Sequence, residues 1–228
     1  MKNVFAILKK QIKDTFKNKM ILIQFVLFPV IDMIMEQAIK IDGMPENYFT
    51  NLFGVMYVGM APLVSVSSII GEEKEKNTLR VLTMANVKSL EYLLGILTYV
   101  WSICMCGAFV MSLNLPSEKR AFFMLVMAIG ALLSGLLGAA IGIFAKNQMM
   151  TTSLSMPVML VFSFAPMLSM FNEKISKVAR FLYTVGMQEL IEKNSVTDFK
   201  SSPLWVIIIN AVLFLGFFLC AYKRKGLE

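Results

Sequence analysis

Long apolar runs alternate with short polar connections along this chain, and their lengths predict its elements. Uncharged windows cover residues 47–71, 92–117, 121–145, 147–172 and 201–222. Crossing a hydrocarbon core of about 30 Å takes about 20 helical residues, so each window predicts a membrane span. A sixth run is apolar except for Asp32 and Glu36 in its second half, and we count it as a span. The predicted spans are about 20–39, 51–70, 92–113, 121–145, 151–171 and 203–222.

The first 19 residues predict an amphipathic helix that lies in the membrane interface. Val4, Leu8, Ile12 and Phe16 recur at every fourth position, and lysines fill the other faces. The alternative is a cationic tail that only fixes the orientation of the chain. Residues 172–202 predict a second amphipathic segment of two short helices that lie on, or dip into, the outer surface, for which an ordinary exposed loop is the alternative.

Composition and charge agree with a membrane protein. The chain is 57% hydrophobic and 16% charged, which leaves too few polar side chains to coat a soluble globule. With six spans, most of the 22 basic residues lie on one side, at the N-terminus, in residues 72–91, at Lys146 and in residues 223–225. The positive-inside rule then predicts a multi-pass plasma-membrane protein with both termini in the cytoplasm. This topology explains the net charge of +7 without a nucleic-acid partner.

One face of the fourth span is almost without side chains. Gly130, Ser134, Gly138 and Gly142 follow each other at intervals of four residues. Small residues at this spacing let two helices approach closely in lipid, where packing has to drive their association. The pattern predicts a packing seam, either within a subunit or between subunits, and lining of a pathway is the alternative.

Two acids lie in the second half of the first span. Asp32 and Glu36 are four residues apart, so on a helix they share a face. Intramembrane acids are costly and usually face protein or water, which makes both residues candidates for a transport pathway or a proton role. The alternative is that the first span ends early and that both side chains reach the outer interface.

Metal binding and catalysis find little support in the sequence. The chain contains no histidine, and its three cysteines, Cys104, Cys106 and Cys220, all fall within spans, where they are expected to be small apolar fillers. We find neither a Gly-x-x-x-x-Gly-Lys-Ser/Thr phosphate loop nor the constellation of an intramembrane enzyme. We therefore expect no metal or cofactor in this chain.

The longest predicted inner connection, residues 72–91, has a helical pattern of its own. Leu79, Leu82 and Ala85 line one face, while Arg80 and Thr83 point elsewhere. The spacing predicts a short helix parallel to the membrane.

This connection resembles the inner loop of ABC-2 type permeases, the membrane subunits of ATP-binding-cassette exporters. In that family an acidic run precedes Gly-Thr-Leu, a further Leu, a Pro-Val step and an aromatic residue that enters the third span. The chain departs from the family pattern at Asn77 in place of Gly, at Asn86 in place of Pro and at Ile96 in place of Lys. Asn tolerates a left-handed backbone best after Gly, so Asn77 can keep the turn. The matching residues are Glu72, Glu73, Glu75, Thr78, Leu79, Leu82, Val87 and Tyr92.

The resemblance implies an all-α membrane domain of six spans that pairs with a second permease, identical or related. It implies that a cytoplasmic ATPase docks on the loop helix from about Glu73 to Ala85, and that ATP and Mg²⁺ bind to that partner. The expected cargo is an amphipathic or apolar molecule such as a peptide, an antimicrobial or a drug. The alternative function is an ATPase-independent channel or scaffold that uses Asp32 and Glu36. The residues implied in ATPase coupling are Glu72, Glu73, Glu75, Thr78, Leu79, Arg80 and Leu82.

Overall fold

The computed structural model describes residues 2–17, 19–39, 45–84, 87–193 and 202–225. Every regular element in these ranges is an α-helix, which confirms the predicted all-α class. The helices are α1 (Lys2–Lys17), α2 (Lys19–Ala38), α3 (Tyr48–Glu75), α4 (Thr78–Met84), α5 (Ser89–Ser112), α6 (Ser117–Phe144), α7 (Gln148–Phe171), α8 (Glu173–Ala179), α9 (Tyr183–Lys193) and α10 (Ser202–Lys225).

Five of these helices are long and apolar enough to cross a membrane, within the part of the chain that the structure describes: α3, α5, α6, α7 and α10. They make the chain a multi-pass membrane protein. Helix α2 covers the predicted first span with 20 residues and contains both acids. The sixth crossing, through α2, stays a prediction.

Helix α3 is the centre of the bundle. It packs against α2, α5, α6, α7 and α9. Of its most apolar stretch 78% is buried inside the protein, against 22% for α7. Other helices therefore surround α3, whereas about half of the residues of α7 are exposed.

The glycine face predicted in the fourth span lies on α6 and packs against α3 of the same chain. Gly138 lies over the backbone of Leu63, and a Cβ added to it would lie 3.0 Å from the Leu63 Cα. One turn further, a Cβ on Gly142 would lie 2.8 Å from the Cβ of Ile70. Both distances are below normal van der Waals contact, so α3 and α6 approach as closely as they do only because these side chains are missing.

The other half of this face adds polar contacts in the middle of the bundle. Ser134 Oγ donates a hydrogen bond to the Val58 carbonyl oxygen at 2.5 Å, and the Tyr183 hydroxyl hydrogen-bonds to the same Ser134. A Cβ on Gly130 would meet Val58 on α3 and Met187 on α9. The packing seam thus lies within one subunit.

The segment after α7 forms helices α8 and α9, and residues 194–201 of the predicted outer segment lie outside the described residues. Most of α8 is exposed, as expected of a surface helix. Helix α9 is instead inserted between its neighbours, and Tyr183 and Met187 are fully buried. Its contacts with α3, α6, α7 and α10 make it part of the bundle.

We expect Gly138→Leu to prevent α3 and α6 from packing, because the new side chain would overlap the backbone around Leu63. The purified variant should lose its cooperative melting transition or melt at a clearly lower temperature, since overpacking and backbone displacement cost about 1–3 kcal/mol or more. Gly216→Leu on α10 is the control, because nothing lies within 4 Å of the Cβ it would add. Equal melting temperatures for the two variants would show that the seam does not depend on the missing side chain.

Candidate functional site at the α4 end of the bundle

The connection between α3 and α4 is shorter than the sequence suggests. Helix α3 continues to Glu75, so the acidic run is helical, and only Lys76 and Asn77 separate it from α4. Asn77 has a φ of 55°, which confirms the left-handed turn expected of it. Thr78 begins α4, and its hydroxyl donates a hydrogen bond to the Glu73 carbonyl oxygen at 3.4 Å. Helix α4 is therefore joined to the end of α3 by a tight, defined turn.

Glu73 lies inside the protein rather than on its surface. The residue is only 6% exposed. Its Oε1 accepts hydrogen bonds from Lys10 Nζ at 2.6 Å and from Gln11 Nε2 at 2.7 Å, both on α1. The hydroxyl of Tyr92 on α5 lies beside the same carboxylate. The resemblance assigns Glu73 to ATPase coupling, but its carboxylate is buried and already bound to α1, so it is not available at the surface for a partner.

The next two residues hold two further helices. Lys74 Nζ donates hydrogen bonds to the carbonyl oxygens of Ile143 at 2.6 Å and Ala145 at 3.1 Å, at the C-terminal end of α6. Glu75 Oε2 accepts a hydrogen bond from the Gln148 backbone N–H at 3.0 Å, at the first residue of α7. A cation at a helix C-terminus and an anion at an N-terminus both match the helix dipole. We call Glu73, Lys74 and Glu75 the clamp, because they tie α3 to α1, α6 and α7.

Glu72 takes no part in the clamp. Its Oε1 pairs with Lys76 Nζ at 2.5 Å within the same helical turn, and this hydrogen bond raises the pKa of the lysine. Surface pairs of this kind contribute about 0–1 kcal/mol. Arg80 belongs to α4, while its side chain lies outside the described residues. Ala85 and Asn86, which were expected to end the loop helix, also lie outside them.

The apolar face predicted for α4 exists, but it points towards the bundle. Leu79 is 6% exposed, and Leu82 is half-buried against the core. The resemblance implies that both side chains take part in ATPase coupling, which would require them to face a partner; they instead cover the end of their own bundle. The exposed apolar residues of α4 are Val81, 62% exposed, and Met84, 80% exposed. Helical spacing identified an apolar face but not the surface that it meets.

The two candidate pathway acids lie near the opposite end of the bundle, where both bind to protein groups. Asp32 is fully buried, and its Oδ2 accepts a hydrogen bond from Asn114 Nδ2 at 3.1 Å. Glu36 Oε2 accepts hydrogen bonds from the backbone N–H groups of Phe49 at 3.0 Å and Thr50 at 3.2 Å. Glu36 therefore caps the start of α3. Their use in a pathway stays a prediction.

The contacts of the clamp with α1, α6 and α7 were not predicted from the sequence. Lys10 and Gln11 were assigned to an interfacial helix, and no function was given to Lys74. The alternation of acidic and basic residues at positions 72–76 was the available signal, because such residues at the end of a long apolar helix can reach the ends of neighbouring helices. Within the described residues no group of three or more His, Cys, Asp or Glu side chains is placed to hold a metal ion.

Comparison with known families gives a match over nearly the whole chain. A family model described as "ABC-2 family transporter protein" matches residues 3–223, which is nearly the whole chain and includes the clamp, α4 and the small-residue face of α6. A search of curated proteins gives no match.

We expect Glu73→Gln to loosen α1, because it removes the charge that Lys10 pairs with and leaves buried polar groups without full partners. The free energy of unfolding should fall by about 1–3 kcal/mol, and amide hydrogens of α1 should exchange faster. Glu72→Gln, one residue away, is the control and should change stability by less than about 1 kcal/mol, because its pair with Lys76 is exposed. Similar exchange of α1 in both variants would contradict the clamp.

Proposed function

The chain belongs to the ABC-2 family of transporter proteins, and from this we infer that it is the permease subunit of an ABC exporter powered by a separate ATPase chain. Proteins of this family form the membrane part of a transporter and are not themselves catalytic. The finer points, namely the direction of transport, the partners and the cargo, are our proposal. ATP and Mg²⁺ would bind to the partner, in keeping with the absence of a phosphate loop from this sequence.

The observation that carries the proposal is the exposed side of α4. The seven-residue helix α4 follows α3, the most buried of the candidate spans, and it exposes Val81 and Met84 next to each other at the end of the bundle. Large apolar side chains beyond the spans have no lipid tails to contact, and exposed apolar patches mark interaction sites. We propose that these two side chains enter a groove on the ATPase, while Leu79 and Leu82 hold α4 on the bundle.

The clamp gives this docking site a route to the rest of the protein. Displacement of α4 would act on Asn77 and then on the end of α3. Glu73, Lys74 and Glu75 connect that end to α1, α6 and α7. We propose that the work of the ATPase reaches the spans through these contacts, with α3 as the moving centre.

The proposed topology places the α4 end in the cytoplasm of a plasma-membrane protein. Basic residues are concentrated there, in α1, around α4, at Lys146 and in the last turn of α10, as the positive-inside rule expects. The apolar surfaces that α7 and α10 leave exposed are available to lipid and to a second permease, with which the chain would form a dimer. An amphipathic or apolar peptide, antimicrobial or drug would pass between the two permeases.

The alternative, a channel or scaffold without an ATPase, has less support. It would need Asp32 and Glu36 as pathway groups, and both carboxylates already bind to the chain itself. It also gives no reason for two exposed apolar side chains on α4. Isolation of the native complex separates the two hypotheses, since only the exporter requires an ATPase chain.

We expect Val81→Asp with Met84→Asp to abolish docking of the ATPase and leave the bundle folded, because both side chains point away from it. Burial of each apolar side chain contributes about 1.5–3 kcal/mol, so affinity should fall about a hundredfold or more. Co-purification with the ATPase, ATP-dependent transport and melting temperature are the three measurements.

Val81→Leu with Met84→Leu is the matched control, because it keeps both side chains apolar and should retain docking and transport. Leu79→Asp should lower the melting temperature, since that side chain is buried within the chain. Co-purification and transport at parental levels in the double Asp variant would contradict the assignment of α4 as the docking element.

A further inference from the structure

A cavity of about 350 Å³ lies at the end of the bundle opposite to α4. It is formed where the start of α3, the connection from α5 to α6, the end of α7 and the end of α9 come together. We call it the opposite-end cavity. Its lining residues are Pro45, Glu46, Asn47, Tyr48, Asn51, Leu115, Lys119, Phe122, Phe123, Met170, Gln188, Ile191 and Glu192.

Aromatic and other apolar groups form much of its wall. Phe122 and Phe123 come from α6, Tyr48 from α3 and Met170 from α7. The Tyr48 hydroxyl donates a weak hydrogen bond to Met170 Sδ at 3.8 Å, so two walls of the cavity are connected. Aromatic faces and a thioether favour a flat apolar ligand, and aromatic faces also attract organic cations.

One residue of the lining has a polar atom without a partner. Asn51 Oδ1 is buried behind the wall and accepts no hydrogen bond from the described residues. Another amide of the lining, Gln188 Nε2, already donates to Glu192 Oε1 at 2.9 Å and to Met170 Sδ at 3.3 Å. A buried acceptor without a donor costs about 1–3 kcal/mol, so rotation of the Asn51 amide towards a ligand that donates a hydrogen bond would recover part of that free energy.

The charges in the lining favour a cation. Glu46 and Glu192 contribute two carboxylates, and Lys119 contributes one ammonium group. Within the described residues, neither carboxylate nor Lys119 takes part in an ion pair. A neighbouring cavity of about 540 Å³ shares Glu46 and is also lined by Glu36. The two cavities together are therefore lined by three carboxylates and one lysine.

From the cavity, the unpaired acceptor and the excess of carboxylates we propose that the opposite-end cavity binds an amphipathic organic cation. Its ammonium group pairs with Glu46 and Glu192 and donates a hydrogen bond to Asn51 once that amide rotates to present Oδ1 to it. Its flat apolar part packs against Phe122, Phe123 and Met170. The inference rests on the proposed function only in so far as it also makes amphipathic organic cations the cargo of the transporter. Binding itself requires neither the ATPase nor transport.

Three probes with the same indole ring test the proposal: tryptamine, which is a cation, 3-ethylindole, which is neutral, and indole-3-propionate, which is an anion. Each is equilibrated with the full-length chain in phosphatidylcholine nanodiscs, and binding to empty nanodiscs is subtracted. Tryptamine should bind saturably and at least about tenfold more tightly than either of the others, because charge-assisted hydrogen bonds contribute about 1.5–3 kcal/mol.

Removal of the carboxylates and removal of the lysine from the lining should change the affinity for tryptamine in opposite directions. Glu46→Gln with Glu192→Gln should weaken tryptamine about tenfold and leave 3-ethylindole unchanged. Lys119→Met should tighten tryptamine and weaken indole-3-propionate, a gain that misfolding cannot produce. Glu189→Gln is the matched control, because Glu189 lies on the same helix, pairs with Lys193 and does not line the cavity.

Saturable binding of tryptamine that responds to these variants as described supports the proposal. Equal binding of the three probes, no saturable binding of tryptamine, or an equal effect of the lining variants and Glu189→Gln would each overturn it. None of these outcomes bears on the docking of the ATPase, which the α4 variants test separately.

Discussion

The close approach of α3 and α6 is the constraint on which the other helix contacts depend. Lipid tails are as apolar as the helix surfaces, so association in the bilayer relies on contact area and hydrogen bonds rather than on removal of apolar groups from water. Gly138 and Gly142 bring the two backbones into contact, and Ser134 adds a hydrogen bond to a carbonyl of α3. Five helices pack around α3, so its position relative to α6 sets the position of the others.

At the α4 end of the bundle, the clamp connects helices through hydrogen bonds of charged side chains, whereas the contact of α3 with α6 relies on close packing. Three consecutive side chains of α3 reach three different helices, because successive residues on a helix point in directions about 100° apart. The same geometry explains why Glu72 stays outside the clamp and pairs within its own helix. The clamp side chains beside α4 are thus occupied within the subunit, whereas Val81 and Met84 on α4 stay exposed.

The sequence predicted the helices and the small-residue face well, since both depend on local patterns such as run length and spacing by four. It also predicted the left-handed turn at Asn77, because the conformational preference of Asn is a local property. It did not predict that Leu79 packs against its own bundle, since periodicity identifies an apolar face but not the surface that this face meets. The bonds between Glu73 and α1 join residues more than 60 positions apart, and no local pattern marks such a pair.

The length of α3 has a mechanical consequence. Its 28 residues extend over about 42 Å, whereas the hydrocarbon core of a bilayer is about 30 Å thick. Glu36 binds the first turn of α3, and the clamp binds its last turn. These contacts oppose fraying, so α3 does not shorten by unwinding at its ends. The charged last turn projects beyond the core, and tilt of the whole helix accommodates the rest of the excess length. Bilayer thickness would then set the angle at which α3 stands, and with it the direction in which α4 faces.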